Sequence, residues 1–395
     1  MVIDDYIMSK RFIKKEPPLS QFYLNWYNIF LSIIDWDKLH REPPKLVTCY
    51  STERTCEFVS MNEEDYIIYD EYLGQTFNKL NRIFLNSTDK FDIITYAYKI
   101  MAEIYHFSSK IELSQLCLVA YAENNEMHQT YKREKDLGIR GKYTFIQESF
   151  VLMHEVVHWH LSNKDIISTI SKKRSQLMDH LLDMQRIDDP DQVKAFLDDI
   201  DAVFDSPYGS YKEYITPKRY KEYEISFKAK KNIFFEYMME LVKTSDDFIE
   251  ECLCDNIATE FLVNIMTAMF GIDIEECLQI IYVGLENLGI LTILRNETLK
   301  EKKDDNIPVY IVESLLRKSQ FRNTAPFLFD NYNPEYIKRC NERFVASNRR
   351  FTKIIKDPVL FLLTDILNEL KQLDIKEEPP IMVSNEQYNK IIRDL

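Results

Sequence analysis

Between residues 45 and 70 lie three short runs rich in β-branched and aromatic side chains: KLVTCY (45–50), TCEFVS (55–60) and DYIIYD (65–70). Polar stretches part them, and runs of this length and composition predict strands. Ahead of them, LSQFYLNWYNIFLSIIDWDKL (19–39) predicts an aromatic-rich helix between the Pro-Pro breaks KEPP (15–18) and REPP (41–44). Two helices are expected next, at about 71–85 and 89–106. Ser87 or Thr88 would cap the second, with Asp89 and Asp92 near its first turn. One more apolar run, QLCLVAYA (115–122), reads as a further strand before a polar loop over 123–143.

Beyond that loop the pattern turns helical. Thr144 and Gln147 form a T-x-x-Q capping box for a helix over about 145–162, with Asn163 marking its end. Residues 165–203 read as one or two helices broken near DDPD (188–191). A loop DSPYGSYKEYITPK (205–218) then leads into a helix over 219–243. The best-marked helix follows: Ser245 caps it, Asp246 and Asp247 complement its dipole, and Gly271 ends it. Asp273 with Glu276 opens another segment, and Ser384 with Gln387 the last, beyond the break EEPP (377–380). The three Pro-Pro breaks are too unevenly spaced for a structural repeat. The expected fold is α+β and mainly helical. An α/β region with a small sheet spans 1–143. A helical region spans 144–272 with an insert at 164–243, and a C-terminal helical region covers 273–395.

Composition narrows the function. With 395 residues, 45% of them hydrophobic, the chain can bury a substantial core. Its seven glycines form no phosphate-binding loop or dinucleotide fingerprint, so nucleotide-binding α/β folds are disfavoured. A net charge of −14 argues against nucleic acid as a partner. The basic runs SKKR (171–174) and KAKK (228–231) sit among acids and read as solvated helix faces. Seven dispersed cysteines, never spaced C-x-x-C, fit a reducing compartment. The N-terminus shows no secretory signal pattern. The longest uncharged apolar stretch, FLVNIMTAMFGI (261–272), is too short to span a membrane. These features place the chain in the cytoplasm, with no membrane partner.

The chemistry concentrates in SFVLMHEVVHWHLSNK (149–164), which holds three of the chain's seven histidines. His154-Glu155-Val156-Val157-His158 fits H-E-x-x-H. On a helix the two histidines stack one turn apart, about 6 Å, close enough for both to reach one zinc ion. Glu155 would take a proton from a water at the metal and pass it to the leaving amine. His160 faces elsewhere and reads as a dipole or surface contact. Leu161 and Lys164 stand where an extended metzincin motif needs Gly and His, so that arrangement is excluded. No histidine follows His180, so the third ligand is sought among acids. Glu251-Cys252-Leu253-Cys254-Asp255 is an E-x-x-x-D whose two carboxylates share a stripe with Ala258 and Leu262. Buried carboxylates on such a stripe need a metal or hydrogen-bond donors. Glu250 is an alternative ligand, and Cys252 and Cys254 read as core.

H-E-V-V-H followed by E-C-L-C-D, on two helices, resembles the gluzincin zinc metallopeptidases. The resemblance implies a zincin-like core with one Zn2+ held by His154, His158 and Glu251. It also implies Glu155 as the base, Asp255 supporting a ligand histidine, and a sheet edge that holds the substrate as an added strand. It covers these two helices and, loosely, the region before them. With 24 tyrosines, the sequence singles out no group for the oxyanion. A peptidase of this build is faintly similar to the Lit-type phage-exclusion peptidases, which cut one cellular protein. The large helical additions point to a restricted protein substrate, with room for a regulatory partner. Two other readings stay open: a helical binding protein with a structural or decayed zinc site, and a deformylase-type hydrolase using Cys117.

Overall fold

The computed structural model describes residues 3–10, 13–14, 21–33, 42–128, 137–162, 166–186, 236–300, 309–330 and 333–363. The break at 188–191, the loop at 205–218, most of the helix expected over 219–243, the stop at Asn163 and the opening at Ser384 lie outside the described residues. All three expected strands form: β2 Lys45–Tyr50, β3 Cys56–Met61 and β4 Glu64–Asp70. A two-residue strand, β1 Ile13–Lys14, adds to β2. The sheet order is β1-β2-β4-β3, with β2 parallel to β4 and β3 antiparallel to it, so β3 is an edge. Asn62 and Glu63, which join β3 to β4, both have left-handed φ (50° and 66°). Two such residues make the tight turn whose twist matches that of the flanking strands.

One carboxylate organises the strand ends. Asp70 closes β4 and caps the helix that follows, accepting from Tyr72 N at 2.9 Å. It also accepts from Ser51 Oγ and from Arg54 N, while its own amide donates to Thr55 O at 3.0 Å. Arg54 (φ 51°) runs buried from this loop to Glu103 and Thr76. The β2–β3 loop, and with it the edge strand, is thus fixed from beneath. Burial requires it: Asp70 is fully buried, and an unpartnered carboxylate there would be strongly unfavourable.

Alternation along β4 sorts its side chains. Ile67 and Tyr69 enter the main core, whereas Ile68 joins Cys49 and Ile7 on the other face, under α1 Ile3–Ser9. The aromatic helix α2 Gln21–Ile33 forms as expected and buries Trp26, Tyr27 and Phe30. Next come α3 Glu71–Asn86 and α4 Phe91–Phe107. Ser87 and Thr88 do not cap α4. Its N-cap is Lys90 without a side-chain bond, and the Ser87 hydroxyl instead donates to Asp92 Oδ2 at 2.6 Å.

QLCLVAYA is not a strand. It lies within α5 Ile111–His128, which packs along α4 and buries Ser114, Cys117 and Tyr121. Those positions follow a helical interval, and a short apolar run alone cannot tell a strand from a buried helix. Ser114 Oγ donates to Ala102 O at 2.8 Å, clamping the pair. The polar loop over 123–143 is likewise displaced, because α5 runs to His128 and α6 begins at Leu137.

The T-x-x-Q pair is therefore not a capping box. α6 spans Leu137–Leu161, and Thr144 and Gln147 sit buried in its interior. Asn81 Nδ2 of α3 donates to Thr144 Oγ1 at 3.2 Å and to Gln147 Oε1 at 2.9 Å. Gln147 Nε2 donates to Ile280 O at 3.2 Å. Ile280 belongs to α9 Ile274–Leu299, whose Gly284 lets Gln147 approach: a Cβ there would lie 2.9 Å from Gln147 Cγ. Asn287 of α9 also donates to this amide pair.

The chain continues through α7 Ile167–Arg186, a helical run at 236–244, and α8 Asp246–Phe270. The caps of α8 are as expected: Ser245 Oγ accepts from Phe248 N at 3.1 Å, and Gly271 takes φ 63° at the C-terminus. Asp273 caps α9 by accepting from Glu276 N. α9 is the one described helix long and apolar enough to cross a membrane, but 83% of its apolar window is buried inside the protein. Two further long helices, α10 Val309–Thr324 and α11 Pro334–Phe351, pack against α9. A π-helical turn Thr352–Lys356 then leads into α12 Asp357–Phe361. The described chain is mainly helical with one small mixed sheet.

Candidate metal centre

α6 and α8 are neighbours, and each is gripped on more than one side. On α6, Phe150, Met153 and Val157 enter the core, and Trp159 Nε1 donates to Asp65 Oδ2 at 2.8 Å, tying the helix to β4. On α8, Leu253, Cys254, Ala258 and Leu262 face the main core. Phe248, Ile249 and Cys252 face a second cluster with Leu177 and Leu181 of α7 and Val312 and Leu316 of α10. Both flanking cysteines are fully buried, and all seven in the chain are buried. Packing on both sides fixes which faces of the two helices meet.

That arrangement brings His154, His158 and Glu251 together, with one donor atom from each within 4.8 Å of the others. The two Nε2 atoms are 3.1 Å apart. Glu251 straddles them: Oε1 lies 3.1 Å from His158 Nε2 and Oε2 lies 3.2 Å from His154 Nε2. Behind each ring stands another acid. Asp255 Oδ1 is 3.1 Å from His154 Nδ1, and Glu250 Oε1 is 2.9 Å from His158 Nδ1. If each Nδ1 carries the ring proton toward its acid, both Nε2 atoms present lone pairs to each other and to a carboxylate. Four acceptor atoms converging on one point fit a cation, and two imidazoles with a carboxylate suit zinc.

Glu155 sits on the same turn, buried, and its Oε2 accepts from the Phe58 main-chain amide at 2.8 Å. Burial pushes its carboxyl up to about 7, against the pull of His154 and His158. Burial alone would lower His154, but Asp255 and Glu251 hold its imidazole up at about 10. These groups feel one another's charge at close range, so they act as one cluster.

Sequence reasoning missed Arg317 of α10. Its Nε and Nη2 grip Asp255 at 2.8 and 2.7 Å, and its Nη1 lies 2.8 Å from Glu251 Oε2. After the cost of burial, Arg317 is the largest influence holding both carboxyls below their usual range. No spacing rule points to an arginine 66 residues past Glu251. Only the packing of α10 on α8 reveals it. Glu250 does not join the Nε2 pair but backs His158 from the other side. Cys117 lies buried on α5, and neither it nor His160 belongs to any donor group among the described residues. No family model matches the chain, no curated protein matches its sequence, and no solved structure matches its fold.

Proposed function

We propose that the protein is a zinc-dependent endopeptidase with a zincin-like core of the gluzincin kind. One observation carries the reading. The paired Nε2 atoms face a carboxylate, each ring is backed by its own acid, and a buried glutamate sits on the same turn. His154, His158 and Glu251 would hold the ion. Bound there, zinc would supply Lewis-acid polarisation of the scissile carbonyl and acidify a water.

The protein's own residues supply the rest. Glu155, with its proton affinity raised to near neutrality by burial, accepts a proton from the attacking water and returns it to the leaving nitrogen. Glu250 would hold the His158 imidazole in the tautomer that leaves Nε2 free, and Asp255, 3.1 Å from His154 Nδ1, stands where it can do the same for the other ring. The edge strand β3 is the natural dock for an extended peptide, because its outer side is unpaired within the sheet and reaches Glu155 at Phe58. The helical additions around the centre favour one restricted protein substrate over general digestion.

Glu155→Gln tests this. The variant is expected to keep near-stoichiometric zinc and to lose peptide cleavage by about 10²- to 10⁴-fold. Undiminished cleavage would remove Glu155 from the mechanism. Zinc analysis of Glu251→Ala is the companion measurement, since full zinc content in that variant would refute the third ligand.

A further inference from the structure

His158 offers two ring nitrogens, and each faces a different acid. Nε2 points to Glu251, whereas Nδ1 lies 2.9 Å from Glu250 Oε1. Glu250 and Cys254 are one turn apart on α8, on the same side of the helix. A second set of donors gathers there: a nitrogen of His158, a Glu250 oxygen and the Cys254 sulfur, all within 4.8 Å of one another. Cys254 is fully buried and directed into this group, unlike Cys252, which packs in the cluster on the far side of α8.

We propose that His158, Glu250 and Cys254 form a second position for a divalent cation of the zinc class, sharing His158 with the first. The proposal rests on the metal-centre reading above for the use of Nε2. Imidazole, carboxylate and thiolate together match the ligands zinc takes in proteins. The exchange balances without any redox step. One dication enters, and the His158 Nδ1 proton and the Cys254 thiol proton leave to solvent, so the charge of the cluster is unchanged. With both positions filled, His158 bridges the ions through its two nitrogens.

Cobalt(II) titration of the metal-free full chain tests this by a readout independent of cleavage. Wild type is expected to bind two equivalents, with the near-ultraviolet thiolate-to-cobalt band growing only with the second. Cys254→Ala should stop at one equivalent and show no band. Glu250→Gln, which leaves the core untouched, should weaken the band-forming equivalent by about tenfold or more. Glu251→Ala should lose the first equivalent and keep the band. Saturation of wild type at one equivalent without a thiolate band would overturn the second position and leave the zinc-peptidase reading standing. A band that persists in Cys254→Ala would also overturn it. Failure of wild type to bind any equivalent would sink both.

Discussion

Arg317 holds Asp255 through two parallel hydrogen bonds, Nε to Oδ2 at 2.8 Å and Nη2 to Oδ1 at 2.7 Å. Asp255 is fully buried, so its charge depends on that fork and on the neighbouring His154. Removing one partner of a buried pair strands the other. Arg317→Met is therefore expected to destabilise the protein by about 3 kcal/mol or more in urea unfolding. Adding Asp255→Asn should restore part of that loss. Arg317→Lys should recover little, because an ammonium cannot reproduce the planar fork. Additive losses in the double variant would refute the pairing as the source of the effect.

Glu250 gives a second test. Its Oε1 lies 2.9 Å from His158 Nδ1, which in the proposed centre leaves Nε2 for the ion. Glu250→Ala should weaken binding of the first zinc by about 10- to 100-fold, measured by competition with a chromophoric chelator. Unaltered affinity would mean that His158 needs no orientation from this acid.

The amide network beneath the histidines makes a stability prediction. Gln147→Leu keeps a similar volume but removes the bonds that Gln147 makes to Asn81, Asn287 and the Ile280 carbonyl. The expected loss is about 1–3 kcal/mol, the typical penalty for stranding buried polar groups. A loss below that range would show that water replaces the amide.

Lys356, in the π-helical turn, gives a pH signature. Burial lowers its ammonium to about 7, and Lys318 adds to the lowering, while Glu286 and Asp357 oppose it. Unfolded, the same group titrates near 10.5. Between those values the unfolded chain binds one more proton, so this residue makes stability rise with pH and forfeits that gain as pH falls toward 7. The slope is at most about 1.4 kcal/mol per pH unit. Lys356→Met should flatten the dependence between pH 7 and 9 relative to wild type. Equal slopes in the two proteins would place the ammonium in contact with solvent.

What was legible in the sequence was whatever short-range chemistry dictates. Ser245 and Gly271 bound α8 as written, because a cap depends on residues within one turn. The three strands were readable from their short β-branched and aromatic runs between polar turns, and the two histidines from their four-residue step. QLCLVAYA misled because its apolar run is compatible with either periodicity, and only its packing on α4 decides. Thr144 and Gln147 misled because a capping pair and an interhelical amide clasp use the same residue types. Arg317 left no trace, since charge compensation across helices carries no spacing rule. The domain limits at 143 and 272 and the insert at 164–243 stand as sequence expectations.

Asp70 belongs at once to the end of β4, the start of α3 and the loop that delivers β3. A residue with three such allegiances removes the freedom of any one of them to open alone. The edge strand should then exchange its amide hydrogens at the slow rate of α3 rather than fray as edge strands do. The rim beside Glu155 would thus be a fixed ledge, present before any peptide arrives.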